Sequence, residues 1–391
     1  MQRLPLVVAI ATVLLLNACN RNEAQHEQQA ATAPATASTV AQAPAAAPPA
    51  ADAQMQAVLD QLTKLGGKPI ETLSPEEARK QPSPADAVRA LLESQGKPTT
   101  PEAVAKVVER TFPGPGGAVP IRVYIPAGQG PFPVVLYVHG GGWVIADLDT
   151  YDASPRAIAN AAKAIVVSTH YRQAPEHKFP AAHEDTLAAY EWVLANAAKF
   201  GGDPKRIALV GESAGGNMAA NIAIAARDKK LQAPLHQVLI YPVANNDMNA
   251  PSYVENANAK PLNKAMMEWF VKHTFASPDQ TADPRIALAK RTDLAGVAPA
   301  TIVLAQIDPL RSDGEALAAA LRAAGVPVTV QRYDGVTHEF FGMGAVVDKA
   351  KEAQRLAGDQ LAKAFAGATA AKAAPGAPST ATKPASAATT Q

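Results

Sequence analysis

The sequence predicts an α/β fold, a mostly parallel central sheet with helices on both faces, and three observations carry that reading. Apolar runs at 132–138, 164–168, 207–210, 238–242 and 301–305 are nearly unbroken, as expected of strands covered on both sides. Segments of helical spacing alternate with them, the pattern of parallel strands joined by crossover helices. Two glycine-containing turns, His139-Gly140-Gly141-Gly142 and Gly211-Glu212-Ser213-Ala214-Gly215, follow runs directly, at the carboxyl ends where such sheets bind ligands.

With 391 residues, 48% hydrophobic and 18% charged, the chain is long enough for one large domain plus extensions. A net charge of +1 gives no electrostatic reason for nucleic acid or an acidic polymer as partner. Arg3 precedes a mainly apolar run, 4–16, that falls short of the ~20 residues needed to span a bilayer. It reads as a cleaved export signal over 1–18. Its end, Leu16-Asn17-Ala18-Cys19, resembles a bacterial lipobox, and the resemblance implies lipidation of Cys19, an anchor in the envelope, and outer-membrane sorting through Asn20. The alternative is an ordinary secretory signal with a chance cysteine. Because Cys19 is the only cysteine, no intramolecular disulfide can form. Residues 19–53, rich in Ala, Pro and Gln, have too few large apolar side chains to offset ordering entropy and read as a flexible tether. The Ala/Pro/Thr-rich tail, 367–391, reads likewise, which leaves 54–366 as the folded body.

The body opens with helical spacing at 54–65, where Met55, Val58, Leu59 and Leu62 recur on one face. Ser83-Pro84-Ala85-Asp86 opens a second helix, with serine as N-cap and proline in the first turn. A third is expected at 101–108, and these early helices form either a small domain or a lid. Strands follow at 121–126, 132–138 and 164–168. A coil with two prolines, 170–181, leads to a helix at 184–198. After the strand at 207–210 and an Ala-rich helix come strands at 238–242 and 301–305, a helix at 314–324 ended by Gly325, and a last strand at 326–333. Between 245 and 284 the alternation lapses. There a helix over 263–275 carries Met266, Met267, Phe270 and Val271 on one face, either as packing or as the lining of an apolar acyl pocket.

Ser213 has glycines two residues to either side, so the backbone can double back without a Cβ clash and present the hydroxyl at the apex of a strained turn. A helix starting just after it aims free N–H groups and the positive dipole end at the same point. A serine nucleophile also needs a base, and an acid to orient that base. Of eight histidines, His338 follows the last strand in a loop, 334–341, whereas His139 belongs to the glycine loop, His177 and His183 to the coil and its helix, and His273 to the insertion. Asp308 follows the 301–305 strand directly, while Asp313 falls at the start of the next helix, where its charge suits the dipole.

On these motifs the chain resembles the hormone-sensitive-lipase-like bacterial esterases of the α/β-hydrolase superfamily. The resemblance runs from residues 110–117 through Ile121-Arg122-Val123-Tyr124, the glycine loop, Tyr171-Arg172-Gln173-Ala174-Pro175-Glu176, the Ser213 turn, Asp308-Pro309-Leu310-Arg311 and His338. It implies a triad of Ser213, Asp308 and His338, oxyanion donors from the backbone N–H groups of Gly141, Gly142 and Ala214, and a helical cap from about 54–105 and 245–284. Three positions depart from the family's usual pattern: Glu212 stands for aspartate, His170 for aspartate, and Glu339 for glycine.

The expected activity is hydrolysis of short- to medium-chain acyl esters of small molecules through an acyl-enzyme. A deacetylase or lactonase with the same triad is the alternative, and a non-catalytic surface lipoprotein is the rival of another class, disfavoured because all three triad members are present. No cofactor is expected: no H-E-x-x-H spacing suggests a metal, and the glycine clusters lack the Lys-Ser/Thr ending of a phosphate loop.

Overall fold

A computed structural model describes residues 49–373 of the chain. The predicted export signal, Cys19, most of the predicted tether, and 374–391 lie outside the described residues. Helix α1 (Ala53–Lys64) is capped by Asp52, whose side chain accepts from the Met55 amide. Asp52 also donates its amide to the Gly335 carbonyl and pairs with Lys349, so the folded body takes in the last residues of the predicted tether. Single-turn α2 (Pro75–Ala78) and α3 (Pro84–Ser94) both start with a serine capping box and proline, as the sequence predicts for α3.

The sheet comprises β1 (Lys106–Gly114), β2 (Gly117–Ile125), β3 (Phe132–Val138), β4 (Ile165–Thr169), β5 (Gly202–Glu212), β6 (Gln237–Ile240), β7 (Ala300–Ile307) and β8 (Val328–Thr337). Their order is β1-β2-β4-β3-β5-β6-β7-β8, with β1–β2 and β2–β4 antiparallel and every other pair parallel. The helices α4 (Ala153–Ala162), α5 (Ala181–Asn196), α6 (Ala214–Asp228), α9 (Arg311–Ala323) and α10 (Asp348–Ala373) flank it, while α7 (Pro251–Glu255) and α8 (Lys264–Thr274) occupy the insertion before β7.

The period-two alternation of a strand divides the core between the faces. From β3, Val134, Leu136 and Val138 join a cluster with Val193 of α5, Ile222 of α6 and Leu317 of α9. Val135 and Tyr137 join another with Ile158 of α4, Met55 and Val58 of α1, and Ala357, Leu361 and Phe365 of α10. Burying a side chain such as Leu361 or Phe365 is worth about 1.5–3 kcal/mol each.

Four expectations are corrected. No helix forms at 101–108; the backbone enters β1 at Lys106, whose nine residues pair with β2 in a continuous hairpin register from Lys106↔Ile125 to Gly114↔Gly117. The β-branched pair Val107 and Val108 suits that ladder better than a helix. The last strand runs on to Thr337 across a register shift that pairs Ile307 with Thr337, so 334–337 is strand and His338 is the first residue beyond it. Helix α5 starts at Ala181, inside the predicted coil. Helix α10 continues past Gly367, the predicted start of the tail, to Ala373.

Candidate active site

The three polar side chains singled out by the sequence meet at the carboxyl edge of the sheet. Ser213, between β5 and α6, has φ 55° and ψ −120°, a conformation that costs a non-glycine residue on the order of 1–3 kcal/mol. Its turn is pinned by neighbours: its amide donates to Ile240 and its carbonyl accepts from Asn217 and Val243. The flanking glycines are required by space, since a Cβ on Gly211 would lie 2.2 Å from the Gly215 carbonyl oxygen and one on Gly215 2.1 Å from that of Val138.

His338 Nε2 lies 3.0 Å from Ser213 Oγ, and His338 Nδ1 lies 2.8 Å from Asp308 Oδ2. A carboxylate can only accept, so Nδ1 carries the proton and the neutral ring presents an unprotonated Nε2 to the serine hydroxyl. Asp308 is fully buried, and its second oxygen accepts from the Leu310 amide at 2.8 Å. Burial of His338 disfavours its charge, but Asp308, through charge and hydrogen bond, and then Glu339 and Glu212, outweigh that influence and raise its pKa above 6.5. Asp313 starts α9 as expected but serves elsewhere: it is buried, accepts from the amides of Ala244 and Asn245 at 2.9 Å each, and burial pushes its pKa up to about 7.

The glycine loop follows β3 and turns tightly, with the Gly141 carbonyl accepting from both Val144 and Ile145. Gly141 and Gly142 have φ of 91° and 57°, and a Cβ on Gly142 would lie 2.3 Å from the Phe270 ring of α8. Ala214, as the first residue of α6, has no intrahelical acceptor for its amide. His139 fixes the loop's start. Its Nδ1 donates to the Gly140 carbonyl at 2.9 Å, and because burial pushes its pKa down to about 3, its neutral Nε2 accepts from His170 Nδ1 at 3.0 Å. Tyr171 stacks on His139 and donates to the same Gly140 carbonyl. The His170 departure thus supports the loop through a second imidazole.

The other two departures bring two carboxylates near each other, Glu212 buried and Glu339 partly exposed. Glu212 accepts from Tyr137 at 2.5 Å and from Tyr241, and burial, with the Glu339 charge next, pushes its pKa up to about 7. Glu339, in left-handed conformation, accepts from Tyr151 at 2.7 Å, and burial raises its pKa as well. Sequence reasoning assigned no role to these tyrosines; the available signal was Tyr137 within a strand otherwise apolar on both faces, where a hydroxyl needs a buried acceptor. A separate cleft of about 370 Å³, lined by Arg79, His170, Arg172 and Gln173 among others, contains no triad residue, and its arginines are paired with Glu176 and Asp185.

Parallel strands carrying a serine turn, an acid and a histidine at one edge define a class of protein, and comparison with known families agrees. Residues 135–342 match the family described as alpha/beta hydrolase fold, and the chain belongs to it. It is similar to Carboxylesterase NlhH of Mycobacterium tuberculosis, 44% identical over 240 residues, 60% of this chain and 75% of the relative. It is also similar to an ethyl acetate hydrolase of Pseudomonas putida, 34% identical over 288 residues, 73% of this chain and 88% of the relative. Among solved structures, the hyperthermophilic esterase of the archaeon Pyrobaculum calidifontis matches with a TM-score of 0.72 and 35% identity, covering 81% of this chain and 98% of that one.

Proposed function

We propose that the protein is a serine carboxylesterase acting on short- to medium-chain acyl esters through an acyl-enzyme on Ser213. The observation that carries this is the unbroken relay from Ser213 Oγ to His338 Nε2 at 3.0 Å and from His338 Nδ1 to Asp308 at 2.8 Å. His338 takes the serine proton as Oγ attacks the ester carbonyl, and Asp308 stabilises the imidazolium without itself being protonated. The negative oxygen that forms is held by the amides of Gly141, Gly142 and Ala214, each worth about 3 kcal/mol or more of transition-state stabilisation. Imidazolium then protonates the leaving alcohol, and water attacks the acyl-serine with His338 again as base.

The acyl-length reading draws its support from the cover. Phe270 packs on Gly142, and Met267 and Trp269 of the same helix are buried, so α8 sets an apolar wall against the glycine loop. A series of p-nitrophenyl esters from acetate to palmitate tests this; peak kcat/KM at palmitate contradicts it. Ser213→Ala tests the chemistry: hydrolysis falls about 10⁶-fold and fluorophosphonate labelling disappears, whereas turnover at the parent rate ends the proposal. The same reading places the enzyme in the bacterial envelope, probed by palmitate incorporation that depends on Cys19 and is lost in Cys19→Ala; its support is the sequence Leu16-Asn17-Ala18-Cys19 after an apolar run.

A further inference from the structure

Glu339 is a departure that the triad leaves without a task. It adopts φ 70°, which costs a non-glycine residue about 1–2 kcal/mol, and its carboxylate lies on the reacting side of the imidazole. Oε1 is 3.7 Å from His338 Nε2, the nitrogen that faces Ser213. That separation is too long for a direct bond and suits one water held by both atoms at ordinary hydrogen-bond lengths. Tyr151 fixes the carboxylate by donating to Oε1 and leaves that oxygen further capacity to accept. The Tyr151 hydroxyl also fills the space beside Gly140, where a Cβ would meet it at 2.3 Å, so one tyrosine supports both Glu339 and the start of the glycine loop. The Glu339 side chain is 21% exposed, against 0% for Asp308, so solvent can reach it.

We propose that Glu339 is a further catalytic residue, orienting the hydrolytic water for deacylation by accepting one of its hydrogens while His338 accepts the other. The proposal rests on the acyl-enzyme reading above. The water oxygen bonds to the acyl carbon and His338 Nε2 takes one proton. The second hydrogen stays on oxygen, directed at Glu339 Oε1, and becomes the hydroxyl of the carboxylic acid. The tetrahedral adduct then breaks its bond to Ser213 Oγ, which recovers its proton from His338.

An alcohol offers one hydroxyl hydrogen, which His338 uses, so it has none to give Glu339. Attack by methanol therefore makes no hydrogen bond to residue 339 and attack by water does, while the effect of Glu339 on the basicity of His338 acts on both alike. The test is turnover of p-nitrophenyl butyrate in water–methanol mixtures, reading the ratio of methyl butyrate to butyric acid, a ratio unaffected by the fraction of folded enzyme. For Glu339→Ala the ratio rises about tenfold or more, the worth of a hydrogen bond to a charged group. For Glu339→Gln, whose amide oxygen still accepts, it falls between Glu339→Ala and the parent. A ratio unchanged in Glu339→Ala, with butyryl-Ser213 detected by mass spectrometry, overturns this role alone. No butyryl-Ser213 in the parent overturns the esterase reading itself.

Discussion

The rim that carries the reacting groups and the cover beside it are secured by different means. At the rim, Ser213, Asp308 and His338 each stand immediately beyond a parallel strand; backbone bonds tie Ser213 to Ile240 and Val243, and the Asp308 carboxylate accepts from the Leu310 amide. The cover is joined by buried apolar side chains, Met267, Trp269 and Phe270 of α8 among them, and by scattered polar contacts. Trp269 Nε1 donates to the Leu73 carbonyl, Thr274 to Gly142, and Arg79 to the carbonyls of Val144 and Ala174. A relay whose geometry must hold to well under 1 Å is thus placed on the layer fixed by the sheet.

The sharpest break in that contrast is a change at the rim that preserves shape. In Asp308→Asn the Leu310 amide keeps an acceptor, but the side-chain amide donates to Nδ1 and drives the proton to Nε2, where it blocks acceptance from Ser213. The expected loss in kcat is about 10⁴-fold with the fold retained. A loss within tenfold, measured with p-nitrophenyl butyrate, shows that the acid is not what sets the tautomer.

Gly142→Ala strikes where rim and cover touch. The added methyl would lie 2.3 Å from the Phe270 ring, at a φ of 57°, so either the glycine loop or α8 must move. If the loop yields, an oxyanion donor is misplaced and kcat falls about 10²–10³-fold. If α8 yields, kcat holds and KM for longer acyl chains changes. The kcat-against-KM split thus reports which layer is stiffer, and loss in kcat is the expected result.

The pH profile probes the rim alone. Burial opposes charge on His338, yet Asp308, Glu339 and Glu212 raise its pKa, so the acid limb of kcat/KM has its midpoint above 6.5 and falls tenfold per pH unit below it. Stability follows the opposite sign: a raised folded pKa stabilises the fold fully below the unfolded value, and that contribution is lost as pH rises through the folded pKa. Acid therefore silences the enzyme without withdrawing the histidine's share of stability. A limb centred below 6.5 contradicts the assignment.

The rim was also the legible part. A nucleophile between two glycines, an aspartate ending one apolar run and a histidine beyond the next are local patterns, because each follows from where a strand stops. The aspartate choice was legible too, since Asp313 is placed in the helix by its position in sequence. What escaped was set by pairing at a distance. Strand β1 lies at the sheet's edge and is largely exposed, with Glu109, Arg110 and Thr111 in succession at its middle and only Phe112 buried, so no buried run marks it. Helix α10 buries Ala350, Ala353, Ala357, Leu361 and Phe365, a helical spacing written mostly in alanine, and its last turns, past Gly367, share the composition of the tail, so no break in the sequence marks where it ends. The tyrosines on Glu212 and Glu339 come from three separate strands and loops, and nothing short of the fold brings them together.

The smallest effect belongs to the cover. Trp269→Phe keeps an aromatic ring against Phe270 but removes the donor to Leu73, one of the bonds that tie α8 to the N-terminal segment. One net hydrogen bond is worth about 1 kcal/mol, so the urea midpoint should drop slightly with the slope unchanged. On acetate esters kcat should stay within about threefold, because the triad side chains stand at strand ends and the α8 residues that meet Gly142, Phe270 and Thr274, are kept. On longer esters KM should move further than kcat, as the proposal that α8 lines the acyl site requires. A kcat loss on acetate as large as that from Gly142→Ala shows instead that cover and rim move as one body, and that the Leu73 contact, far along the chain from Ser213, holds the glycine loop in its working position.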